Sequence, residues 1–368
     1  IADISMLPAQ KRMRMVLPYK LDQYKNQKDV MLNIEFRLKK DEGLLKAGDI
    51  VAHQQLPIRE FAGSDLAVNP AKTKAVKLAD KKKQPQITLA AENFEVQFDR
   101  QSGFLSKYVV GGKSLLGEGG SLKPNFWRAV TDNDMGAQSQ KELKAWRTPE
   151  LNLRSISADK KTKTVTAVYD MPTVESTLTL TYQAEEDGTL NVTQQLKTTP
   201  GAKVSDMLRF GMIMNLPYNM DQCLWNGRGP VENYSDRKLS QNVGIYKSTA
   251  DKLFFPYVRP QETGTMSDLR WWQQTDGGGF GFRIESDKLF SASALHYDLL
   301  TLDEGEEKHQ RHPQSVEKSK YTNMFIDLVQ EGVGGVNSWD ADGRARKGHR
   351  VEYKDYTFKF RLSPKTVY

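Results

Sequence analysis

The stretch "ESTLTLTYQAEEDGTLNVTQQLKT", residues 175–198, decides which fold class the sequence predicts. Apolar and polar residues alternate on both sides of its centre, which is the pattern of strands with one buried face. The Asp-Gly pair between the two halves is a signal for a β-hairpin. The same alternation recurs in "VEYKDYTFKFRL", residues 351–362, and strand-like stretches make up most of the rest of the chain. We therefore expect an all-β protein.

Length and composition allow a large core and exclude several classes of protein. The 368 residues are 38% hydrophobic, with a mean hydropathy of −0.62, which is enough for a core beneath a very polar surface. No apolar run approaches the ~20 residues of a membrane span, so no membrane partner is expected. The only cysteine is Cys223, which excludes an internal disulfide and a cysteine-based metal site.

The net charge of +7 comes largely from lysines in residues 72–86 and 160–163. Aromatic residues are not interleaved with these lysines as stacking platforms, so we do not expect a nucleic-acid partner. The chain begins "IADISMLPAQ", without an initiator methionine or an apolar leader. We interpret it as an internal piece of a longer polypeptide.

The best candidate for a domain boundary is the lysine-rich stretch that ends at Pro85. We assign residues 63–85 to a linker between a short N-terminal part, residues 1–62, and a long β domain, residues 86–368. The N-terminal part holds three strand-like stretches, at residues 12–21, 30–40 and 49–58, about half of an immunoglobulin-like sandwich. The long domain is large enough for two big sheets packed face to face.

Six carboxylates lie in stretches dense with Arg, Asn and Tyr and are candidates for acid–base chemistry. A retaining glycosidase needs two carboxylates about 5–5.5 Å apart. Carboxylates in such surroundings are more often held by hydrogen bonds and ion pairs with neighbouring arginines, so we interpret these as structural. The six residues are Asp132, Asp134, Glu232, Asp236, Glu262 and Asp268.

Two further patterns resemble metal sites. His309 and His312 have a ligand-like spacing, but they lie in a polar segment in which no helix is indicated. The segment "DADG", residues 340–343, resembles half of a calcium loop and lacks the rest of that pattern, so we interpret it as a hairpin turn. No metal site is predicted in this chain.

Six stretches, in order and in register, resemble the C-terminal small-chain domain of glycoside hydrolase family 2 β-galactosidases. They are "FDRQSGFLSKYVVGGKSLL", "KPNFWRAVTDNDMG", "WNGRGPVENYSDR", "FPYVRPQETG", "SDLRWW" and "GVGGVNSW". Residues 1 to about 62 resemble the second half of the immunoglobulin-like domain that precedes it, through "LNIEFRLKK" and "LLKAGDIVAHQQLPI". The resemblance implies a large β-supersandwich similar to galactose mutarotase, preceded by a partial immunoglobulin-like β-sandwich.

The resemblance also implies a function for the parent enzyme, which would hydrolyse terminal β-D-galactosides with retention. The family's two catalytic glutamates lie on an upstream (β/α)8 barrel, and the acid/base glutamate follows an Asn. This chain has no Asn-Glu dipeptide, so no catalytic residue is expected in it. The implied partners are the barrel of the same polypeptide and, through it, the galactoside. The divalent cation that the family often uses, Mg or Ca, is expected to bind elsewhere. A soluble protein of the bacterial cytoplasm or periplasm is implied.

Individual residues take roles from the same resemblance. Trp339 matches a tryptophan that reaches the barrel's active site and stacks on the sugar. The segment after "DNDMG" matches a flexible loop at the mouth of that site, formed here by Gly136, Ala137, Gln138, Ser139 and Gln140. The remaining motif residues are expected to brace a structural corner: Trp127, Arg128, Asp132, Asn133, Asp134, Glu232, Asn233, Tyr234, Asp236 and Arg237.

Two functions of other classes stay open. An aldose epimerase acting alone needs a general acid and base, and His296, on a predicted strand, is the candidate histidine. A stand-alone carbohydrate-binding module is the second alternative. Mutarotation assays and galactose titrations distinguish the two. Trp271 and Trp272 also lie on a predicted strand, and we expect them in the core or on a sheet face.

Overall fold

The computed structural model describes residues 7–16, 20–309 and 311–365. The chain divides into two compact units, Ile1–Phe61 and Ala62–Tyr368. In the described part of the first unit, strands β1 (Val30–Arg37) and β2 (Ile50–Arg59) form an antiparallel pair. The strand predicted at residues 12–21 is absent from its described positions, and residues 17–19 lie outside the described part. The first unit therefore shows two of its three expected strands.

The second unit consists mainly of strands. In chain order they are β3 (Lys77–Ala79), β4 (Gln86–Ala91), β5 (Phe94–Asp99), β6 (Leu105–Val110), β7 (Lys113–Ser114), β8 (Leu122–Asn125), β9 (Asn152–Asp159), β10 (Thr164–Met171), β11 (Ser176–Ala184), β12 (Leu190–Thr198), β13 (Arg209–Pro217), β14 (Gln222–Gly229), β15 (Asn242–Thr249), β16 (Met266–Thr275), β17 (Gly281–Leu295), β18 (Tyr321–Gln330) and β19 (Tyr356–Lys365).

Helices are short in both units. The α-helices are α1 (Asp132–Gly136), α2 (Ser139–Glu142), α3 (Ala250–Leu253) and α4 (Leu299–Leu302). Single 3-10 turns occur at Asp22–Tyr24, Pro70–Thr73, Lys144–Trp146, Pro172–Val174, Pro313–Ser315, Ala341–Gly343 and Lys347–His349. In the described residues, no helix has the length and apolar character needed to cross a membrane.

Antiparallel pairing joins strands β3 to β19 into one nearly closed sheet around a single hydrophobic core. The 15-residue strand β17 connects its parts, because it pairs with β16 along most of its length, with β19 over residues 281–286 and with β18 over its last five residues. The prediction of an all-β fold with a large β-supersandwich is confirmed.

The hairpin that led to this prediction is formed by β11 and β12. Their register runs without interruption from Ser176 opposite Thr198 to Ala184 opposite Leu190. Residues of β11 alternate between buried and half-buried, so that Leu178, Leu180 and Tyr182 face the core. Burial of each such apolar side chain stabilises the fold by roughly 1.5–3 kcal/mol.

The linker predicted at residues 63–85 is wrong. This segment belongs to the second unit, where Leu78 of β3 pairs with Leu89 of β4 and Val76 is buried. The Ser64 N–H donates to the carbonyl of Ser286 at 2.9 Å. The lysines misled the interpretation because they are exposed: Lys77 lies on the short edge strand β3, and the others lie in the turns before and after it.

The paired tryptophans of β16 occupy the positions expected for them. Trp272 is buried and stacks on Trp225 with ring centroids 5.3 Å apart. Trp271 is on the opposite face, half-buried beneath the guanidinium of Arg283, which lies 4.2 Å from its ring centroid. Successive residues of a strand point to opposite faces, so one ring belongs to the core and the other to the sheet surface.

Candidate functional site

Four motif segments, far apart in sequence, meet around one cleft of about 340 Å³, which we call the motif cleft. The first segment follows β8, the second and third flank β15, and the fourth follows β18. The lining residues are Thr131, Asp132 and Asn133; Glu232, Tyr234 and Arg237; Tyr257, Gln261 and Glu262; Val333 and Ser338. Tertiary structure therefore brings the motifs quoted above to one place.

Helix α1 begins the first segment and is held by a buried ion pair. Asp134 accepts hydrogen bonds from Nε and Nη2 of Arg128 at 3.1 and 2.9 Å, and both side chains are almost fully buried. Thr131 caps the helix and exchanges reciprocal hydrogen bonds with Asp134. Burial lowers the pKa of Arg128, but the Asp134 carboxylate more than offsets this and raises it. Asp134 has the contacts of a structural carboxylate.

Asp132, two residues earlier, is in a different environment. Its side chain is 48% exposed at the edge of the motif cleft and is paired with Nε of Arg259 at 2.8 Å. Burial raises the pKa of Asp132, but Arg259, together with Lys308 and Gln261, outweighs burial and leaves the pKa below its usual value. Asp132 is therefore an ionised carboxylate at the cleft.

Glu232 is saturated with hydrogen bonds. Its Oε1 accepts from Arg237 and from the Tyr257 hydroxyl, and its Oε2 accepts from the Thr263 hydroxyl at 3.1 Å and the Gly264 N–H at 2.7 Å. A carboxylate has about four lone-pair positions, and four donors occupy them here. Glu232 therefore has no free position from which to transfer a proton to a substrate.

Asp236 holds the segment that carries Trp339. Its carboxylate accepts the N–H groups of Val333 at 3.0 Å and Gly334 at 2.9 Å. A Cβ on Gly332 would lie 2.3 Å from Oδ2 of Asp236, so only glycine allows this approach. The base of residues 332–343, which we call the Trp339 loop, is anchored in this way.

The tip of the Trp339 loop is ordered by local and distant contacts. Asn337 Oδ1 accepts the N–H groups of Trp339 and Asp340 at 3.1 and 3.3 Å. The Ser338 hydroxyl donates to Oδ1 of Asn133 on α1 at 2.9 Å. These hydrogen bonds hold the backbone of the loop, and the Trp339 side chain is 77% exposed, as expected for an indole that does not belong to the core of this chain.

Residues 136–140, predicted to form a loop, have a different conformation. Gly136 ends α1, Ser139 begins α2, and Gln138 joins the two turns in a left-handed conformation with φ 59°. Ser139 and Gln140 are buried. The expected loop is thus wrong as to conformation, because two short helical turns pack this segment against its neighbours. Its mobility stays a prediction.

The remaining acidic candidates, Glu262 and Asp268, also have hydrogen-bond and ion-pair partners. Glu262 accepts from Nη2 of Arg209 at 3.0 Å and from the Thr265 hydroxyl at 2.7 Å. Asp268 is paired with Lys238 and Arg228, whose hydrogen bonds outweigh burial and lower its pKa. The six candidate carboxylates therefore have the partners of structural groups, with Asp132 the most exposed of them at the cleft.

Sequence reasoning missed a buried acid that interacts with Glu262 of the cleft. Asp327 of β18 is fully buried, and Arg209 Nε lies 3.4 Å from its Oδ2. Burial raises the pKa of Asp327 to about 7, although Arg209 opposes this. The apolar run "NMFIDLV" gave one signal, because a carboxylate inside a buried strand needs a partner.

The histidines do not form a site. His296 is buried, with Nδ1 3.0 Å from Asp251 Oδ1 and Nε2 3.1 Å from the Tyr218 carbonyl. Both ring nitrogens are engaged, so the geometry does not support the epimerase alternative. Residues 341–343 form a 3-10 turn capped by Asp340 instead of a hairpin turn. Among residues 7–16, 20–309 and 311–365, no group of three or more His, Cys, Asp or Glu could hold a metal ion.

Comparison with known proteins gives two matches to family profiles. The profile described as "Beta galactosidase small chain" matches residues 90–362, and that described as "Beta-galactosidase, domain 4" matches residues 1–59. A β-galactosidase of Priestia megaterium is 30% identical over 357 residues, which cover 95% of this chain and 33% of the relative. One of Lactobacillus delbrueckii subsp. bulgaricus is 32% identical, covering 69% of this chain and 24% of the relative.

The chain thus spans about a quarter to a third of the length of these relatives. Among solved structures, a galactose 1-epimerase from Lactobacillus acidophilus is similar with a TM-score of 0.42 and 8% identity, covering 79% of this chain and 98% of the epimerase.

Proposed function

Because the chain belongs to the β-galactosidase small-chain family, we propose that it is the non-catalytic C-terminal part of a retaining β-galactosidase. In this proposal it completes the active-site wall of an upstream (β/α)8 barrel that supplies the catalytic glutamates. The parent enzyme hydrolyses terminal β-D-galactosides. A divalent cation, where the enzyme uses one, is bound by the upstream part.

The observation that carries this proposal is the exposure of Trp339 on an anchored loop. An indole that is 77% exposed is costly in water unless it meets a partner. Hydrogen bonds from the backbone to Asp236 and Asn337, and from Ser338 to Asn133, hold the loop that presents it. A flat aromatic ring suits the C–H face of a galactoside.

Two features support the proposal that this chain forms part of the active-site wall: the contacts of its carboxylates and the exposed apolar side chains near them. Glu232 and Asp134 have their lone pairs occupied by donors of this chain, which suits scaffolding and not proton transfer. Exposed apolar side chains lie in the segments that form the motif cleft, among them Phe255, Val258 and Val336. In this proposal the upstream domain covers these side chains when it docks.

The test compares the chain alone with the chain joined to the polypeptide encoded upstream of Ile1. The purified chain alone should not hydrolyse a chromogenic β-galactoside, and the joined protein should. In the joined protein, Trp339→Ala should raise KM, while Asp342→Ala, which changes another exposed side chain of the same loop, should have little effect.

Two outcomes would contradict the proposal. One is turnover by the chain alone that survives further purification and disappears when one of its acidic residues is replaced. The other is tight galactose binding by the chain alone that Trp339→Ala abolishes, which would indicate a stand-alone carbohydrate-binding module.

A further inference from the structure

The loop that joins β14 to β15 contains a tight turn at residues 234–237, which we call the Asp236 turn. The backbones of Tyr234 and Arg237 exchange two hydrogen bonds, at 3.2 and 2.9 Å, and these close the turn. Tyr234 is buried, and Arg237 lies over its ring and is paired with Glu232. Asp236 therefore belongs to a turn whose two ends are fixed.

The contacts of Asp236 differ from those of the other five candidate carboxylates, each of which is paired with an arginine side chain. Asp236 accepts hydrogen bonds from two backbone N–H groups, that of Val333 on Oδ1 at 3.0 Å and that of Gly334 on Oδ2 at 2.9 Å. Hydrogen bonds to an ionised acceptor are roughly twice as strong as those between neutral groups. Both oxygens of Asp236 thus bind the base of the Trp339 loop.

A buried cation binds the adjacent carbonyls of the same backbone. Arg128 donates from Nη1 to the carbonyl of Glu331 and from Nη2 to that of Gly332, the second at 2.8 Å. Residues 331–334 belong to neither a helix nor a strand. Their carbonyl and N–H groups are bound by a guanidinium and by the Asp236 carboxylate, because no regular element continues there to bind them.

The base of the Trp339 loop needs such bonds because it is rich in glycine. Three of the four residues 332–335 are glycines, and glycine loses more conformational freedom on ordering than any other residue. Trp339 follows five residues after Gly334, and its indole is 77% exposed. Since core packing does not hold the ring, its position depends on the backbone that carries it.

We propose that Asp236 is a positioning residue for Trp339, whose carboxylate holds the base of the Trp339 loop in the conformation that presents the indole to a galactoside. Asp236 acts through the loop and does not touch the sugar itself. The statement about the galactoside rests on the proposed function, whereas the statement about the loop is independent of it.

The first experiment measures hydrogen exchange of the Val333 and Gly334 amides in the isolated chain. Asp236→Ala should accelerate this exchange by about 10- to 100-fold, the effect of losing a hydrogen bond to a charged group. Asp236→Asn retains one acceptor oxygen for the two N–H groups, so its exchange rates should be intermediate. Glu92→Ala removes an exposed carboxylate from the turn between β4 and β5 and should leave both rates unchanged.

The second experiment measures hydrolysis of a chromogenic β-galactoside by the joined protein. Asp236→Ala should raise KM by about three- to tenfold, because apparent affinity falls in proportion to the fraction of molecules that present the ring. The value of kcat should stay within about twofold. In the Trp339→Ala background, Asp236→Ala should cause no further rise in KM, since the two residues act as one unit.

Thermal unfolding shows whether each variant folds, and Asp236→Asn carries both tests if Asp236→Ala does not fold. Unchanged exchange of Val333 and Gly334 overturns the proposal. An equal rise in KM with and without the Trp339 indole also overturns it, because Asp236 then acts by another route. A joined protein without activity contradicts the proposed function instead, and the exchange rates alone then decide whether Asp236 holds the loop.

Discussion

Replacing Asp134 tests the structural interpretation of the "DND" motif most directly. Arg128 is 0% exposed and Asp134 2% exposed, so Asp134→Ala leaves a buried guanidinium without its hydrogen-bonded carboxylate, and only the more distant Glu331 and Glu262 still act on its charge. The carbonyls of Glu331 and Gly332 still accept from Arg128, but they are neutral. Removing one partner of a buried pair costs about 3–5 kcal/mol of the free energy of unfolding. For a unit of this size, residues 62–368, that is a fall in Tm of about 5–8 °C.

Asp132→Ala is the matched control, since it removes a carboxylate from the same helix. Asp132 is 48% exposed, and partly exposed ion pairs contribute about 0–1 kcal/mol. The assay is thermal unfolding of the isolated chain, followed by circular dichroism and tryptophan fluorescence. Equal losses for the two variants, or an unchanged Tm for Asp134→Ala, would refute the reasoning that burial of the ion pair makes Asp134 structural.

Three further predictions concern Trp339, Asp327 and the second unit. Trp339→Ala should change the stability of the isolated chain by no more than about 0.5 kcal/mol, because the indole is exposed. In the joined protein it should weaken galactoside binding by roughly 1–3 kcal/mol. Denaturant unfolding measures the stability and KM the binding, and a large loss of stability would place the ring in the core. Asp327 has a folded pKa of about 7, above its unfolded value, so its protonated form is favoured by folding and wild-type stability should fall as pH rises from about 4 to 7. Asp327→Asn should remove about 1–4 kcal/mol of this change in the free energy of unfolding with pH. Urea unfolding at pH 5 and pH 8 measures the change, and an equal change in the wild type and the variant would contradict the prediction. Residues 62–368 should unfold cooperatively without residues 1–61, because the buried core residues of the described chain lie between Val76 and Leu362. A broad, non-cooperative unfolding transition of residues 62–368 would count against this.

Much of the fold follows from local patterns in the sequence. The alternation in residues 175–198 and the Asp-Gly turn predicted the β11–β12 hairpin, because side chains in a strand alternate between its two faces. The same reasoning failed at residues 12–21, where apolar residues alternate without forming a strand at the described positions. It also failed at residues 63–85, where the many lysines led us to predict a linker although Val76 is buried and the edge strand β3 forms there.

The sequence by itself determined that the chain is all-β, that its acidic motifs are rich in possible ion-pair partners, and that Trp339 lies in a loop without a core pattern. Only the tertiary structure decided what each carboxylate does. Asp132 and Asp134 are neighbours in the sequence, yet one borders the cleft while the other is buried with Arg128. The physical reason is that burial and hydrogen-bond saturation depend on groups brought from far along the chain, such as the Gly332 carbonyl that Arg128 reaches across 204 positions.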